Sequence, residues 1–355
     1  MSKLKELREQ FDGVGIDGFI VTKAENRRYL TGFTGSAGAA IVTKTDAVFL
    51  TDFRYDKQAK EQVKDFDVNI HHQSQSLLDN AIENVERLGI KKLGFESQDV
   101  NFYFYSQLNK RLPVELVPVK KAVEKLRMVK TEEEISLLKK AAAIGDEAFE
   151  FIQGFIKPGV TELAVAAELE YFMRKKGATS NSSKYIVASG YRGALPHGVA
   201  SSKVIEQGEM VTLDYGALYD GYRSDMTRTL SVGEPNPKLK EIYEIVYDSL
   251  QACLEAIKPG MLSNEVDAVV RDYIDSKGYG QYFGHGAGHG IGLEIHEDPF
   301  FSKTTNFVME PGMVVTIEPG IYIPEVGGVR IEDDVVITGN GCEIITKSPK
   351  DLIIL

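Results

Sequence analysis

Asp214, Asp225, Glu318 and Glu332 each border a short apolar run, where a carboxylate is costly to bury unless a positive charge accompanies it. Met210 to Leu213 lead into Asp214, and the segment GALYDGY returns the chain to Asp225. Met313 to Ile317 lead into Glu318, and Val329-Arg330-Ile331, read as following a Gly-Gly turn, lead into Glu332. One such residue would most simply face solvent or pair with an arginine such as Arg223 or Arg330. Four of them, matched in pairs, fit better with divalent cations that neutralise them together.

Histidine placement points the same way. Of six histidines, His71 and His72 lie early in the chain. His197, His285, His289 and His296 lie in or beside the glycine- or turn-rich segments GALPHG and GHGAGHGIGLEIHE. Glycines let a backbone come close to a ligand without crowding it. A phosphate cradle is the competing reading, but the run lacks the GK[ST] ending of a P-loop and the strand–helix setting of a dinucleotide site. Four carboxylates with one imidazole form an oxygen-rich set without thiolate, better suited to Mn²⁺, Co²⁺ or Fe²⁺ than to structural Zn²⁺. One ion cannot easily use so many donors. Two bridged ions can, and such pairs, about 3.5–4 Å apart, lower the pKa of a shared water toward neutrality.

The elements that must position these residues show a repeat. Ile156-Lys157-Pro158-Gly159 recurs as Ile257-Lys258-Pro259-Gly260, and each copy precedes one amphipathic helix ending in Lys176-Gly177 or Lys277-Gly278. Val211-Thr212-Leu213-Asp214 is answered by Val315-Thr316-Ile317-Glu318, and Arg223-Ser224-Asp225 by Arg330-Ile331-Glu332. Three matches in one order predict two similar α+β halves about an approximate two-fold axis, each giving two carboxylates to a site where they meet. Ahead of them, Thr131 and Glu134 form a capping-box pattern, and Ile135, Leu138, Ala142, Phe149 and Ile152 continue at helical spacing.

Residues 1 to about 120 alternate strand and helix patterns. Strands are expected at Gly18 to Val21, Ala39 to Val42, Ala47 to Leu50, Lys92 to Phe95 and Val114 to Val119. Helices are expected near 3–12, 54–63, 76–88 and 101–110, which makes an α/β domain with a mixed sheet. A charged segment, KAVEKLRMVK, reads as a helical connector. The expected domains are therefore 1–122 and 123–355.

A chain of 355 residues exceeds one ordinary core, and 43% apolar with 26% charged residues is a globular composition. The net charge of −11, with no basic block, argues against nucleic acid as a partner. Two cysteines, Cys253 and Cys342, are too few for a disulfide scaffold and suit a reducing compartment. The charged N-terminus does not read as a signal peptide, and no 18 apolar residues run together to span a membrane. A cytoplasmic location is expected.

Taken in order, LRMVKTEEEI, GALPHG, LDYGALYDGYRSDMTRT, GHGIGLEIHE, IEPGIYIP and GVRIEDDVVIT resemble the signatures of the pita-bread-fold metallopeptidases of the Xaa-Pro branch, the group of prolidase and aminopeptidase P. NRRYLTGFTGS resembles their N-terminal domain, so the resemblance covers nearly the whole chain. It implies a creatinase-N-like α/β domain followed by an α+β pita-bread domain of the creatinase/aminopeptidase type, with the internal pseudo-two-fold repeat.

Residue by residue, the resemblance makes Asp214 a ligand of one metal, has Asp225 and Glu332 bridge both, and completes the second sphere with His289 and Glu318. His197 and His296 would line the substrate site, Arg330 would stand beside the bridging glutamate, and Glu318 would also carry a proton. His285 has no catalytic counterpart and reads as structural. The implied activity is hydrolysis of the amide bond before proline by a metal-bridging hydroxide. Dipeptides would be the substrates of a prolidase, longer peptides those of an aminopeptidase P. Manganese is the expected ion, with cobalt, iron(II) and zinc as the other candidates, and a homodimer is the expected assembly. Retention of all five ligands disfavours an amidinohydrolase or a catalytically dead binding module of the same fold. The N-terminal domain separates the chain from the methionine aminopeptidases. Dipeptidase and aminopeptidase differ in loops that no motif here fixes; the short chain leans toward prolidase.

Overall fold

The computed structural model describes residues 3–72 and 74–355, and the chain forms two compact units, one ending at Arg127 and the other beginning at Met128. The first unit holds one six-stranded sheet. Its strands are β1 (Gly18–Val21), β2 (Ala39–Thr43), β3 (Ala47–Asp52), β4 (Asp67–His71), β5 (Lys92–Glu96) and β6 (Glu115–Val119), in the order β4-β3-β2-β1-β5-β6. Pairings β1–β2 and β2–β3 are antiparallel, while β3–β4, β1–β5 and β5–β6 are parallel, so the sheet is mixed as expected. β1 and β2 are buried at every position, which is why they read as unbroken apolar runs.

Two elements of this unit lie outside the sequence expectations. β4, with sequence DVNIH, is an edge strand whose first residue is exposed, and it carries too little apolar character to signal itself. The helix Ala24–Thr31 buries Asn26 and Arg27 beside Tyr29 and Leu30, so no apolar stripe marks it. Arg27 instead donates to the carbonyls of Gly35 and Gly38 at 2.9 Å. The connector is helical only over Glu124–Arg127.

The second unit carries the repeat. Its first half has helices Glu132–Gln153 and Glu162–Lys175, then β7 (Ser180–Asn181), β8 (Ile186–Ser189), β9 (Met210–Tyr215), β10 (Ala217–Tyr219), β11 (Tyr222–Arg223) and β12 (Met226–Ser231). Its second half has helices Pro237–Ala256 and Ser263–Ser276, then β13 (Gly288–Gly290), β14 (Glu297–Phe301), β15 (Val314–Ile317), β16 (Gly320–Ile323), β17 (Gly327–Arg330), β18 (Asp333–Ile337) and β19 (Cys342–Ile344). Each half places an inner hairpin, β10–β11 or β16–β17, inside an outer pair, β9–β12 or β15–β18. The likeness reaches single hydrogen bonds. Ile205 N donates to Val160 O at 2.8 Å, and Met309 N to Met261 O at 2.8 Å. Glu162 N donates to Lys203 O, and Ser263 N to Phe307 O. Gly208 and Gly312 close the matching turns at φ 85° and 91°, a conformation that suits glycine.

Each half has its own core. Ile152, Leu169, Val187, Leu213 and Leu230 pack together in the first, and Val246, Val270, Ile317, Val329 and Val335 in the second. The capping box forms as read: Glu134 N donates to Thr131 Oγ1 at 3.3 Å, and Thr131 N to Glu134 Oε2 at 2.9 Å. The Gly-Gly turn does not. The turn after β16 is Pro324 to Val326, with Glu325 at φ 63°, while Gly327 and Gly328 belong to β17. Glycine is needed at 328 because a Cβ there would stand 2.2 Å from Gly193 O.

Candidate metal centre

The paired hairpins deliver the four carboxylates. Asp214 lies within β9, paired with Thr227 of β12. Asp225 directly precedes β12, Glu332 directly precedes β18, and Glu318 directly follows β15. Glu332 N donates to Thr227 O at 3.1 Å, and Thr229 Oγ1 to Arg330 O at 2.9 Å, so hydrogen bonds join the two halves where the acids collect.

Asp225, His289 and Glu332 are buried, and one ligand-capable atom from each lies within 4.8 Å of the others. His289 Nδ1 faces Gly290 O at 3.0 Å. A carbonyl can only accept, so Nδ1 carries the proton and Nε2 turns a lone pair inward. That Nε2 stands 3.4 Å from half-buried Glu318, at Oε1. Asp214 joins the group through Arg330 Nη2, whose Nη1 donates to Tyr322 Oη at 2.8 Å. Tyr322 Oη in turn meets His285 Nε2 at 2.8 Å. His285 therefore ends a polar chain that starts at Asp214, close enough to Glu318 for their charges to act on one another.

The electrostatics of this cluster call for a cation. Burial, then the charges of Asp214, Asp334 and Glu318, pushes Asp225 well above the usual carboxylate range. Burial, then Asp225 and Glu318, does the same to Glu332, and burial also raises Glu318. The Arg330 guanidinium offsets part of this negative charge. Among the described residues, Asp225 Oδ1 is buried without a hydrogen-bond partner. An inward imidazole lone pair, an unpartnered carboxylate oxygen and three mutually repelling acids fit divalent cations.

The remaining site residues surround this cluster. The His296 ring packs edge-on against His289 with centroids 4.4 Å apart. His296 keeps much of its surface in solvent, yet partial desolvation, then the charges of His289 and His197, hold it below the ordinary imidazole range. His197 is exposed, in the loop that follows Gly190–Ala194.

Residues 136–339 match the model of metallopeptidase family M24, and residues 3–129 match that of the creatinase/prolidase N-terminal domain. The chain belongs to metallopeptidase family M24. A solved Xaa-Pro dipeptidase from Bacillus anthracis is similar at TM-score 0.98 and 54% identity, with 99% of each chain covered. An Xaa-Pro dipeptidase from Pyrococcus horikoshii is 42% identical over 99% of this chain and 98% of that protein. A solved X-Pro aminopeptidase from Thermotoga maritima MSB8 has TM-score 0.90 at 38% identity, covering 98% of this chain and 100% of that one. The creatinase-type N-terminal domain and pita-bread M24 domain are the architecture expected above. M24 enzymes use divalent metals, which agrees with the charge imbalance of the cluster.

Several residues around this cluster escaped sequence reasoning. Thr227 donates to Glu332 Oε2 at 2.6 Å and receives Arg330 Nε at 3.1 Å. Asp334 Oδ2 accepts from Asp225 N at 2.9 Å, which fixes the backbone of that acid. Lys130 and Glu297, both buried, pair at 3.3 Å directly beside His296. Only Asp334 left a signal, as the third acid in Glu332-Asp333-Asp334 ahead of Val335-Val336-Ile337. The glycines of the histidine-rich run also differ from expectation. A Cβ at Gly286, Gly288 or Gly290 would stand 2.2, 2.0 or 2.4 Å from the carbonyl oxygen of Phe301, Thr316 or Asp298. Each of the three admits a neighbouring carbonyl.

Proposed function

We propose that this chain is a dinuclear-metal Xaa-Pro peptidase acting on dipeptides, as a prolidase does. The observation that carries this is the convergence of Asp225, His289 and Glu332, with Glu318 on His289 and Asp214 on Arg330. Asp214 would hold one ion, Asp225 and Glu332 both, and His289 with Glu318 the other; the oxygen-rich set favours manganese. Bound ions would supply an acidified water and a Lewis acid for the scissile carbonyl.

The chain's own residues do the rest. Glu318, half-buried on the rim of the cluster, would hold the water's proton and pass it to the leaving nitrogen. His296 and His197 would offer N–H donors to the carbonyl oxygen as charge develops there. Proline's nitrogen carries no hydrogen in an X–Pro amide, so the ring shape is what the pocket must recognise.

Relatives named as Xaa-Pro dipeptidases, at 54% and 42% identity, support the dipeptidase reading. The Thermotoga maritima aminopeptidase, at 38%, supports release of the residue before proline from longer peptides as the second reading. Comparing Ala-Pro with Ala-Pro-Ala in the presence of Mn²⁺ separates them. The dipeptidase reading expects kcat/KM at least about tenfold higher for Ala-Pro, because a buried partner for the free carboxylate is worth about 1.4 kcal/mol or more. A tripeptide cleaved as fast or faster makes the chain an aminopeptidase. Two free cysteines, Cys253 and Cys342, fit a cytoplasmic enzyme. Among the described residues no helix is long and apolar enough to cross a membrane. A homodimer would elute at twice the 39.3 kDa of one chain.

A further inference from the structure

Glu162 is fully buried at the first turn of the helix Glu162–Lys175, yet that helix does not need it as a cap. Thr161 already accepts from Ala164 N at 3.2 Å. The Glu162 carboxylate turns instead to the loop that carries His197. Its Oε1 accepts from Ser189 N at 2.8 Å and Ser189 Oγ at 2.9 Å. Its Oε2 accepts from Ser201 N at 3.0 Å, from Ser201 Oγ at 2.7 Å and from Arg192 Nη1. Arg192 Nη2 then donates to Val199 O at 2.8 Å. Ser189 lies before His197 and Ser201 after it, so one carboxylate grips both ends of the loop. On another side, Gly193 meets the backbone of Gly328 in β17, the strand that ends in Arg330.

The second half solves the same problem with its own acid and arginine. Asp267, buried in the helix Ser263–Ser276, accepts from Arg271 at 2.8 and 2.9 Å and from Ala287 N at 3.0 Å. Arg271 also donates to Phe283 O and His285 O, the segment leading to His289. In each half, an acid on the 14-residue helix and an arginine pin a segment that bears or leads to a site histidine.

We propose that Glu162, acting through Arg192 and Ser201, is a positioning residue that fixes His197 over the substrate site, an inference that rests on His197 taking part in the reaction. A buried carboxylate is costly to keep, and here its acceptor sites are filled entirely by groups that flank one histidine.

The test is a double-mutant cycle on the Mn²⁺-loaded full chain, with Ala-Pro hydrolysis, metal content and Tm all measured. His197→Ala should lower kcat about 100-fold, the scale of a lost donor to the reacting oxygen. Arg192→Ala truncates a side chain near the surface and should lower kcat about tenfold while metal content stays unchanged. In the His197→Ala background, Arg192→Ala should cost nothing further, because its effect passes through that histidine. Ser201→Ala, which removes one hydroxyl, should behave the same way at about threefold, and it serves if Arg192→Ala folds poorly. Additive losses, or full activity in Arg192→Ala and Ser201→Ala beside an impaired His197→Ala, overturn the clamp alone. A fully active His197→Ala overturns the histidine's role and the clamp with it.

Discussion

Thr227 of β12 donates its hydroxyl hydrogen to Glu332, just ahead of β18, at 2.6 Å. The same oxygen receives Arg330 Nε at 3.1 Å, and Arg330 reaches on to Asp214. One hydroxyl from the first half thus orients a carboxylate of the second, and a guanidinium of the second orients a carboxylate of the first. The repeat is joined at its candidate metal centre by these bonds as well as by packing.

Thr227→Val keeps the shape but deprives both Glu332 and Arg330 of a partner. Partners behind a metal ligand typically change affinity by about 10–100-fold. Mn²⁺ titration of the variant should show a loss of that size, with most of kcat recovered at saturating metal. Unchanged affinity would mean that Glu332 needs no such support.

The metal-free protein should lose stability as pH rises. Burial and mutual repulsion raise Asp225, Glu318 and Glu332 above the usual carboxylate range. Above about pH 4 the unfolded chain releases protons that the native state retains, so the native state binds more protons and unfolding becomes easier with pH. The loss continues until the native groups ionise. Cations that hold these carboxylates charged reverse the trend, and their binding displaces protons. The rise in Tm on adding Mn²⁺ should therefore be larger near about pH 8 than near about pH 5.5. Equal rises at both would contradict the assignment.

Gly288→Ala and Gly284→Ala form a matched pair. A Cβ at Gly288 would lie 2.0 Å from Thr316 O, so β13 and β15 must part and carry His289 with them. Nothing lies within 4 Å of the corresponding position at Gly284. The first substitution should cost about 1–3 kcal/mol of stability, the scale of overpacking, and weaken metal binding. The second should be close to neutral in denaturant melts. Similar behaviour of the two would show that the glycines act otherwise.

Much of this centre was legible because acids inside apolar runs are conspicuous. Asp214, Asp225, Glu318 and Glu332 announced themselves by cost, and the repeated Val-Thr-Leu-Asp and Val-Thr-Ile-Glu segments tied them into pairs. β4 and the helix Ala24–Thr31 were not legible, because polar residues supply their burial and no apolar period results. Glu162 and Thr227 were equally silent. Their partners lie 27 to 105 residues away, and a hydrogen bond of that span leaves no local pattern. The glycine run was visible, but the match of Gly286, Gly288 and Gly290 to the carbonyls of β14 and β15 is something only the folded sheet reveals.

Metal content measured beside turnover in Glu332→Ala and His296→Ala tests the dinuclear assignment most directly. Glu332 belongs to the buried cluster, whereas His296 only packs against His289. The wild type and His296→Ala should each retain two Mn²⁺ per chain, with turnover in the latter reduced about 100-fold. Glu332→Ala should lose metal and activity together. A Glu332→Ala protein that keeps both ions would contradict the shared centre on which the proposed chemistry depends.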